Sequence, residues 1–269
     1  PWRKPLLLRP RQQEFLDRAI DALSENDNTL GIAPTGAGKT VLFCHLLGHF
    51  MRNDAQKKAL VVAHRDELTT QNSSKFQLIN PDNSVSIVNA DIKDWSGQVV
   101  FTMVQTLSRE NNLEKIPHLD LIVIDEAHHT PANSYQVIIE KSRQINIDCK
   151  LIGMTATPTR SDGIGLRKNY SNVADQIFIS ELIGSGHLVV PRTFIIDVAQ
   201  EQLKTVQKIA GDFDMSQVEK ILNKRPINQA VVEKWKELAE NRKTVVFCPT
   251  VEHAQDVHKA FVEEGIPAE

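Results

Sequence analysis

Short apolar runs alternate along this chain with amphipathic stretches of helical length. The runs at residues 121–124 and 245–247 contain no polar residue. Unbroken runs are typical of strands buried on both faces, because a strand with one wet face alternates apolar and polar side chains. Residues 39–52 instead carry apolar side chains at i, i+4 and i+7 spacings, which predicts a helix. The alternation predicts an α/β fold, with helices on both faces of a parallel sheet.

We predict strands at the apolar runs over residues 29–33, 59–63, 84–88, 98–102, 119–124, 150–154, 193–197 and 244–248. Near residue 186 the chain changes character, because Gly184, Ser185 and Gly186 precede Pro191. Such a cluster is typical of a linker between domains. We therefore expect a first α/β domain over residues 1–188. Residues 189–269 are expected to hold linker helices and the incomplete start of a second α/β domain, because few predicted strands lie there.

The overall composition is that of an ordinary globular chain, with 41% apolar and 24% charged residues. No apolar run approaches the ~18 residues that cross a membrane, so we expect no membrane contact. The formal net charge of −3 gives no support for nucleic-acid binding by the chain as a whole. It does not exclude such binding, since a narrow groove can be lined locally by a few basic groups and backbone amides.

The three cysteines, Cys44, Cys149 and Cys248, lie far apart in the sequence. An odd number at these spacings argues against a disulfide framework, so we expect reduced thiols and a cytoplasmic, intracellular location. The neighbouring cysteine and histidine at 44–45 and the two histidines at 128–129 are not repeated at zinc-finger spacing. We therefore expect no structural metal.

A glycine-rich segment joins the first predicted strand to the predicted helix at residues 39–52, and it reads Ala33, Pro34, Thr35, Gly36, Ala37, Gly38, Lys39 and Thr40. Its glycines allow the backbone to curl, so that amide groups and the start of the helix face a phosphate. Lys39 adds a positive charge for the outer phosphates, and the Thr40 hydroxyl can ligate Mg²⁺. Ala33 stands where the strict pattern has glycine. The segment predicts a site for ATP and Mg²⁺.

Two acidic residues, Asp125 and Glu126, directly follow the fully apolar strand at residues 121–124. Ligands of parallel sheets bind beyond the carboxyl ends of the strands, so both side chains are expected in a ligand site. Asp125 there can hold Mg²⁺, and Glu126 can accept a proton from a water molecule or orient it. We expect these acids to face Lys39 across neighbouring strand ends.

In this order, the phosphate loop, the acidic box at residues 125–128 and the Thr-Ala-Thr segment at 155–157 resemble the DEAD/DEAH-box helicases of superfamily 2. The resemblance is greatest to the type III restriction motor and RadD-like branch, in its amino-terminal part, and covers nearly the whole chain. It implies a RecA-like motor domain at residues 1–188 and the start of a second within 189–269. It also implies that Lys39, Asp125 and Glu126 catalyse ATP hydrolysis, coupled to movement along nucleic acid, with DNA favoured over RNA.

The same resemblance assigns residues outside the phosphate loop. Arg9 and Gln12 would contact adenine, in a segment where Arg11 replaces the family's usual tyrosine. Three residues would couple the ATP site to nucleic acid and to the second domain, namely His128, Thr155 and Thr157. Residues 160–163 and 181–183 resemble the run towards the linker between the domains.

Nucleic-acid contacts are implied by the same resemblance at His64, Arg65, Gln71 and Gln105. Backbone amides near residues 64–65 would open a helix and bind a phosphate, with added charge from Arg65. The segment before Gln105 departs from the family, because Met103 replaces the usual threonine. Thr102 is one residue away, which in a strand turns its hydroxyl to the opposite face.

Three other functions remain open from the sequence. The chain could belong to a restriction-system motor that translocates duplex DNA, or to a non-catalytic, nucleotide-gated nucleic-acid clamp. A small-molecule kinase is disfavoured, since residues 61–68 and 155–157 have no role in that chemistry. Family members complete the ATP site with arginines from later in the second domain, so we expect weak turnover from these residues alone.

Overall fold

The computed structural model describes residues 7–52, 54–158, 166–196, 199–209 and 212–269. Residues 160–163, which resemble the run towards the linker, therefore lie outside the described part. Contacts divide the chain into two compact units, Pro1–Val190 and Pro191–Glu269. That the second unit begins another RecA-like domain stays a prediction.

The first unit contains seven helices and seven strands among its described residues. The helices are α1 (Pro10–Glu25), α2 (Lys39–Met51), α3 (Asp66–Ile79), α4 (Val104–Leu107), α5 (Glu110–Leu113), α6 (Asn133–Ile145) and α7 (Ile179–Gly184). The strands are β1 (Asn28–Ile32), β2 (Ala59–Ala63), β3 (Val85–Val88), β4 (Val99–Met103), β5 (Leu121–Asp125), β6 (Lys150–Thr155) and β7 (Val173–Gln176). Short 3₁₀ turns cover Ala127–His129 and Leu166–Lys168.

All seven strands form one parallel sheet in the order β3-β4-β2-β5-β6-β1-β7. The carboxyl ends of the strands therefore lie along one edge, where the phosphate loop follows β1 and the acidic box follows β5. Strand β6 lies between β1 and β5. The ends of β1 and β5 are thus separated by one strand. The expectation that they are direct neighbours was therefore wrong.

Alternating side chains of the strands supply two apolar cores, one on each face of the sheet. Val61 and Val123 pack with residues of α1, α2 and α3 in one core, while Leu60 and Ile122 pack with α6 in the other. The strands are buried on both faces because both sets are apolar. This is the arrangement that the unbroken apolar runs predict.

The six strands predicted within residues 1–188 form within two residues of the predicted bounds. The seventh, β7, was not predicted, because Asp175 and Gln176 make up half of this short strand. It is held in place by pairing with β1 and by ion pairs from α1.

The second unit contains helices α8 (Gln200–Leu203), α9 (Met215–Leu222), α10 (Arg225–Leu238) and α11 (Val251–Glu263), together with a hairpin of β8 (Lys208–Ile209) and β9 (Asp212–Phe213). Its small core is formed by Val232, Val257 and Phe261. The ring of Trp235 meets Phe261 edge-on, with centroids 5.5 Å apart. Asp214 caps α9 by accepting from the Ser216 amide.

Two predicted strands in this unit are wrong. Residues 193–196 and 244–248 are not paired with another strand, and Asp197 lies outside the described residues. Their apolar side chains are exposed, by 86% at Ile195 and 92% at Phe247. An apolar run predicts burial, but a strand also needs a partner for its backbone hydrogen bonds, and the described residues supply none here. In the described part of the whole chain, no helix is both long and apolar enough to cross a membrane.

Candidate active site

The phosphate loop, residues 33–40, runs from the end of β1 into the first turn of α2. Gly36 and Gly38 have φ angles of 89° and 85°, in the left-handed region that favours glycine. The loop is pinned at its start, because the Ala33 amide donates to the Thr155 carbonyl at 2.9 Å. The curled backbone ends at the N-terminus of α2, where peptide dipoles favour an anion.

The side chains of Lys39 and Glu126 meet across the end of β6, with Nζ and Oε1 separated by 3.7 Å. The Lys39 side chain is 13% exposed and the Glu126 side chain is 31% exposed, so both are partly buried. The structure thus brings together the loop cation and an acid that lie far apart in sequence. Their catalytic roles stay predictions.

Asp125 is buried, at 5% exposure, although it is the last residue of a strand. Burial raises the pKa of its carboxyl above the ordinary value, while a hydrogen bond from Asn72 works in the opposite direction. Among the described residues, no cationic side chain lies within ion-pair distance of Asp125. A buried carboxylate without a paired cation, connected to the Thr40 hydroxyl through Asn72, fits a hard divalent ion such as Mg²⁺.

Glu126 adopts a backbone conformation that is uncommon for a residue with a side chain, with φ 55° and ψ 54°. Left-handed conformations of this kind cost roughly 1–3 kcal/mol and persist where surrounding structure imposes them. The Glu126 amide donates to Asp125 Oδ1 at 3.0 Å, which helps to hold the turn. The turn directs the two adjacent carboxylates differently, one buried and one towards Lys39.

The end of β6 contacts both halves of the site through one residue, Thr155. Its carbonyl accepts from the phosphate loop, as described above, and its hydroxyl lies 3.1 Å from His128 Nδ1. The same His128 nitrogen is 3.4 Å from Glu126 Oε2. The exposed Thr157 donates its amide to the Thr155 hydroxyl at 3.1 Å. The three residues assigned to coupling therefore lie together beside the acidic box.

Gln12 lies against the phosphate loop and is buried. Its Nε2 donates to the Ala37 carbonyl at 2.7 Å, and its Oε1 accepts from the Arg9 amide at 2.9 Å. Arg9 is exposed at the start of α1. Arg11 is occupied elsewhere, since its guanidinium bonds Asp175, Glu181 and the Gln176 carbonyl. Adenine contact by Arg9 and Gln12 stays a prediction.

The residues assigned to nucleic acid are at or near the same edge of the sheet. Arg65, Gln71 and Gln105 are exposed, and His64 is half-buried. The His64 ring stacks on the His129 ring at 4.4 Å between centroids. The buried Thr102 hydroxyl donates to the Val88 carbonyl at 2.8 Å, so it faces into the fold. Nucleic-acid contact by these residues remains untested.

Asn72, a buried residue of α3, was not predicted from the sequence, and it contacts both residues that were predicted to hold the metal ion. Its Nδ2 donates to Asp125 Oδ2 at 3.0 Å, and its Oδ1 accepts from the Thr40 hydroxyl at 3.4 Å. A signal was present in the sequence, because the buried face of α3 carries Thr69, Asn72 and Ser73 beside Phe76. Polar residues on a core-facing stripe need partners, and this predicts a buried polar contact.

A phosphate loop and an acidic pair at one edge of a parallel sheet define the RecA-like class of P-loop nucleotide-binding proteins. Residues 5–160 match the family described as Type III restriction enzyme, res subunit, and the chain belongs to this family. This places it among the superfamily 2 helicases, in the restriction-motor branch.

Two fungal relatives match almost the whole chain. A Saccharomyces cerevisiae protein with the provisional name ATP-dependent helicase IRC3 is 29% identical over 275 residues, covering 97% of this chain and 40% of that protein. A Schizosaccharomyces pombe protein, provisionally named mitochondrial ATP-dependent helicase irc3, is 29% identical over 278 residues and covers 98% and 44%. The chain therefore spans less than half the length of these relatives.

The fold is also similar to a solved structure of the type ISP restriction-modification enzyme LlaBIII bound to DNA. The TM-score is 0.67 at 17% identity, over 98% of this chain and 22% of LlaBIII. At this identity, the similarity supports the RecA-like fold.

Proposed function

We propose that this chain is the ATP-hydrolysing part of a helicase or translocase that moves along nucleic acid. The observation that carries the proposal is the approach of Lys39 to Glu126 beside the buried Asp125. A loop that only held phosphate would not need an acid facing its lysine. The names of the two fungal relatives support the same activity.

The residues of the chain have distinct tasks in this proposal. Backbone amides at Gly36–Gly38 and the Lys39 ammonium bind the phosphates, while Glu126 orients a water molecule and accepts its proton. Thr40 and Asp125 would hold Mg²⁺, which when bound offsets the charge on the outer phosphates. The neighbouring Lys39 and the Asn72 amide keep the acidic pair tenable before ligands arrive.

DNA is our preferred partner, ahead of RNA. The support comes from LlaBIII, which shares the fold and is solved bound to DNA. Exposed Arg65 just before α3, Gln71 in the second turn of α3 and Gln105 at the start of α4 could contact the DNA backbone. A motor that translocates duplex DNA without separating strands is the second candidate, because the family match is to a restriction subunit.

An intracellular site of action is part of the proposal, since ATP and nucleic acid are both present there. Cys44 and Cys149 are buried as free thiols, and burial raises the pKa of Cys149 to about 12, which disfavours its thiolate. Reduced thiols are typical of proteins inside the cell. One relative carries a mitochondrial name, so the compartment within the cell stays open.

The deciding experiment changes Glu126→Gln in the full-length parent protein and compares it with Glu140→Gln, an exposed acid of α6. We expect Glu126→Gln to lower kcat of ATP hydrolysis about 10²- to 10⁴-fold, because a general base contributes on this scale. The dissociation constant for ATP should change less than about threefold. The control should match the unchanged protein in both measurements.

The same assay should include single-stranded DNA, duplex DNA and RNA at one fixed salt concentration, since phosphate contacts are strongly screened. Stimulation by either form of DNA, and less by RNA, is the expected result. Equal turnover by Glu126→Gln and the unchanged protein would overturn the enzymatic proposal and favour a nucleotide-gated clamp.

A further inference from the structure

Asn72 has both ends of its amide engaged by the residues assigned to the metal ion. It lies on α3, is 2% exposed, and bonds Asp125 with its nitrogen and Thr40 with its oxygen. The orientation of the amide follows from its partners. The NH₂ group, which can only donate, faces a carboxylate oxygen of Asp125, and the amide oxygen, which can only accept, faces the Thr40 hydroxyl.

This arrangement fixes the remaining lone pairs of both ligand groups. The Thr40 hydroxyl donates its single hydrogen to Asn72 Oδ1, so the lone pairs of its oxygen are available to another partner. In Asp125, Oδ2 accepts from Asn72 while Oδ1 accepts from the Glu126 amide. Two donors on different oxygens set the plane of the carboxylate, because rotation would break one of them.

The burial of Asn72 also needs an explanation. A buried side-chain amide is unfavourable unless it is hydrogen-bonded, and the buried face of α3 also includes Thr69, Ser73 and Phe76. The amide nitrogen and oxygen each bond a side chain of the site, Asp125 and Thr40 respectively. The site therefore accounts for an asparagine at this position where an apolar residue would pack.

We propose that Asn72 is a positioning residue for the divalent cation that accompanies the nucleotide, and this rests on the proposed ATPase function. It holds the Thr40 hydroxyl and the Asp125 carboxylate in the orientation that binds the cation. Asn72 does not touch the reacting phosphate or water. Its removal leaves the phosphate loop in place, frees the Thr40 hydroxyl and takes away one of the two donors that orient the Asp125 carboxylate.

The test measures binding of a fluorescent ADP analogue to the full chain at increasing Mg²⁺, and again in excess chelator. We expect Asn72→Leu, which has nearly the same shape, to weaken Mg²⁺-dependent ADP binding about tenfold. Binding in chelator should stay within about twofold, because the phosphate loop is unchanged. Bound Mn²⁺, counted by electron paramagnetic resonance in the presence of ADP, should fall in parallel.

Asn80→Leu is the matched control, because Asn80 ends the same helix and bonds the Cys44 carbonyl away from the acids. It should alter thermal stability without changing the Mg²⁺ dependence. Asn72→Ser provides a smaller replacement that keeps a polar side chain if the leucine variant does not fold. It should show the same selective loss, since serine is too short to bridge both partners.

The outcomes separate this inference from the function on which it rests. If the unchanged chain shows no Mg²⁺-dependent ADP binding, the proposed ATPase function fails. If the unchanged chain binds and the folded Asn72 variants show the same Mg²⁺ dependence, the positioning role is wrong. Equal loss of binding with and without Mg²⁺ would also overturn it, because that result indicates a general packing role.

Discussion

At Gly153, in the middle of β6, the fold leaves no room for a side chain. A methyl group there would lie 2.7 Å from the Ala127 Cβ and against the Tyr170 ring. Tyr170 is buried, and its hydroxyl bonds Thr130 at 2.8 Å, so it cannot move away freely. The glycine therefore lets the 3₁₀ turn at Ala127–His129 pack closely onto β6.

We predict that Gly153→Ala lowers the free energy of unfolding by about 1–3 kcal/mol, the usual cost of overpacking a core. Urea denaturation measures this directly. Gly184→Ala is the control, because the added methyl meets nothing within 4 Å at the end of α7. The control should be neutral or slightly stabilising, since alanine favours helices. A Gly153→Ala protein as stable as the unchanged one would contradict the packing argument.

At the scale of secondary-structure elements, an ion-pair cluster ties α1 to β7. The Asp175 carboxylate forms ion pairs with Arg11 at 2.5 Å and with Arg18 at 2.9 Å. Arg11 also forms an ion pair with Glu181 of α7 at 2.8 Å. Burial alone would raise the pKa of Asp175, but hydrogen bonds from Arg11, Arg18 and the Gln176 amide hold it below its ordinary value. A pKa lowered in the folded state stabilises the fold above the unfolded pKa.

We predict that Asp175→Asn lowers the free energy of unfolding at pH 7 by about 1–3 kcal/mol, since two arginines lose a charged acceptor. The difference between variant and unchanged protein should begin to shrink as the pH falls below about 4, where Asp175 is protonated in the unfolded state. It should be lost once the pH falls through the lower pKa of Asp175 in the folded state. Denaturation in urea from pH 7 downwards tests both parts. Asp27→Asn, in an exposed pair with Lys150, should have little effect at any pH.

The sequence predicted those elements whose pattern is local. Unbroken apolar runs indicated β2 and β5, and the Gly-Lys-Thr loop indicated the start of α2. Strand β7 was not predicted, because its position depends on ion pairs with Arg11 and Arg18, which lie more than a hundred residues earlier in the chain. Residues 244–248 were wrongly predicted for the converse reason. Their pattern indicates a strand, whereas pairing depends on a partner elsewhere.

The same distinction applies to the candidate site. Lys39 and Glu126 could be named from motifs, and the sheet order then brings them together. Asn72 could not be assigned to Asp125 and Thr40 from sequence, because that contact depends on how α3 packs beside β5. The position of β6 between the two halves of the site was also not predicted, since the sequence does not give the order of strands in a sheet.

At the scale of the whole molecule, the first unit has two cores of its own and includes all the residues assigned to ATP. Its last residues contribute to this unit, because Leu188 packs against the first core and lies next to Gly36 of the phosphate loop. The second unit has a separate, smaller core. The first unit should therefore fold and bind nucleotide by itself.

We predict that a chain ending at Val190 binds ADP in the presence of Mg²⁺ with a dissociation constant within about threefold of that of residues 1–269, as measured by calorimetry. A chain ending at Gly186 should be less stable by about 1–2 kcal/mol, since it loses the partly buried Leu188. Both shortened chains lack the second unit, so the difference between them reports only on residues 187–190. Failure of the longer fragment to fold would show that the second unit is needed for the first.

The position of β1 between β6 and β7 has a consequence for vectorial synthesis on the ribosome. Asn28 of β1 pairs in register with Leu151 of β6. Strand β1 is therefore synthesised early, but it can pair only after β6 and β7 have been synthesised. At roughly 5–20 residues per second, the intervening stretch takes on the order of 6–25 s to translate. Through that interval the nascent β1 segment lacks both of its native strand partners, which makes it a natural target for chaperones that hold unfinished chains.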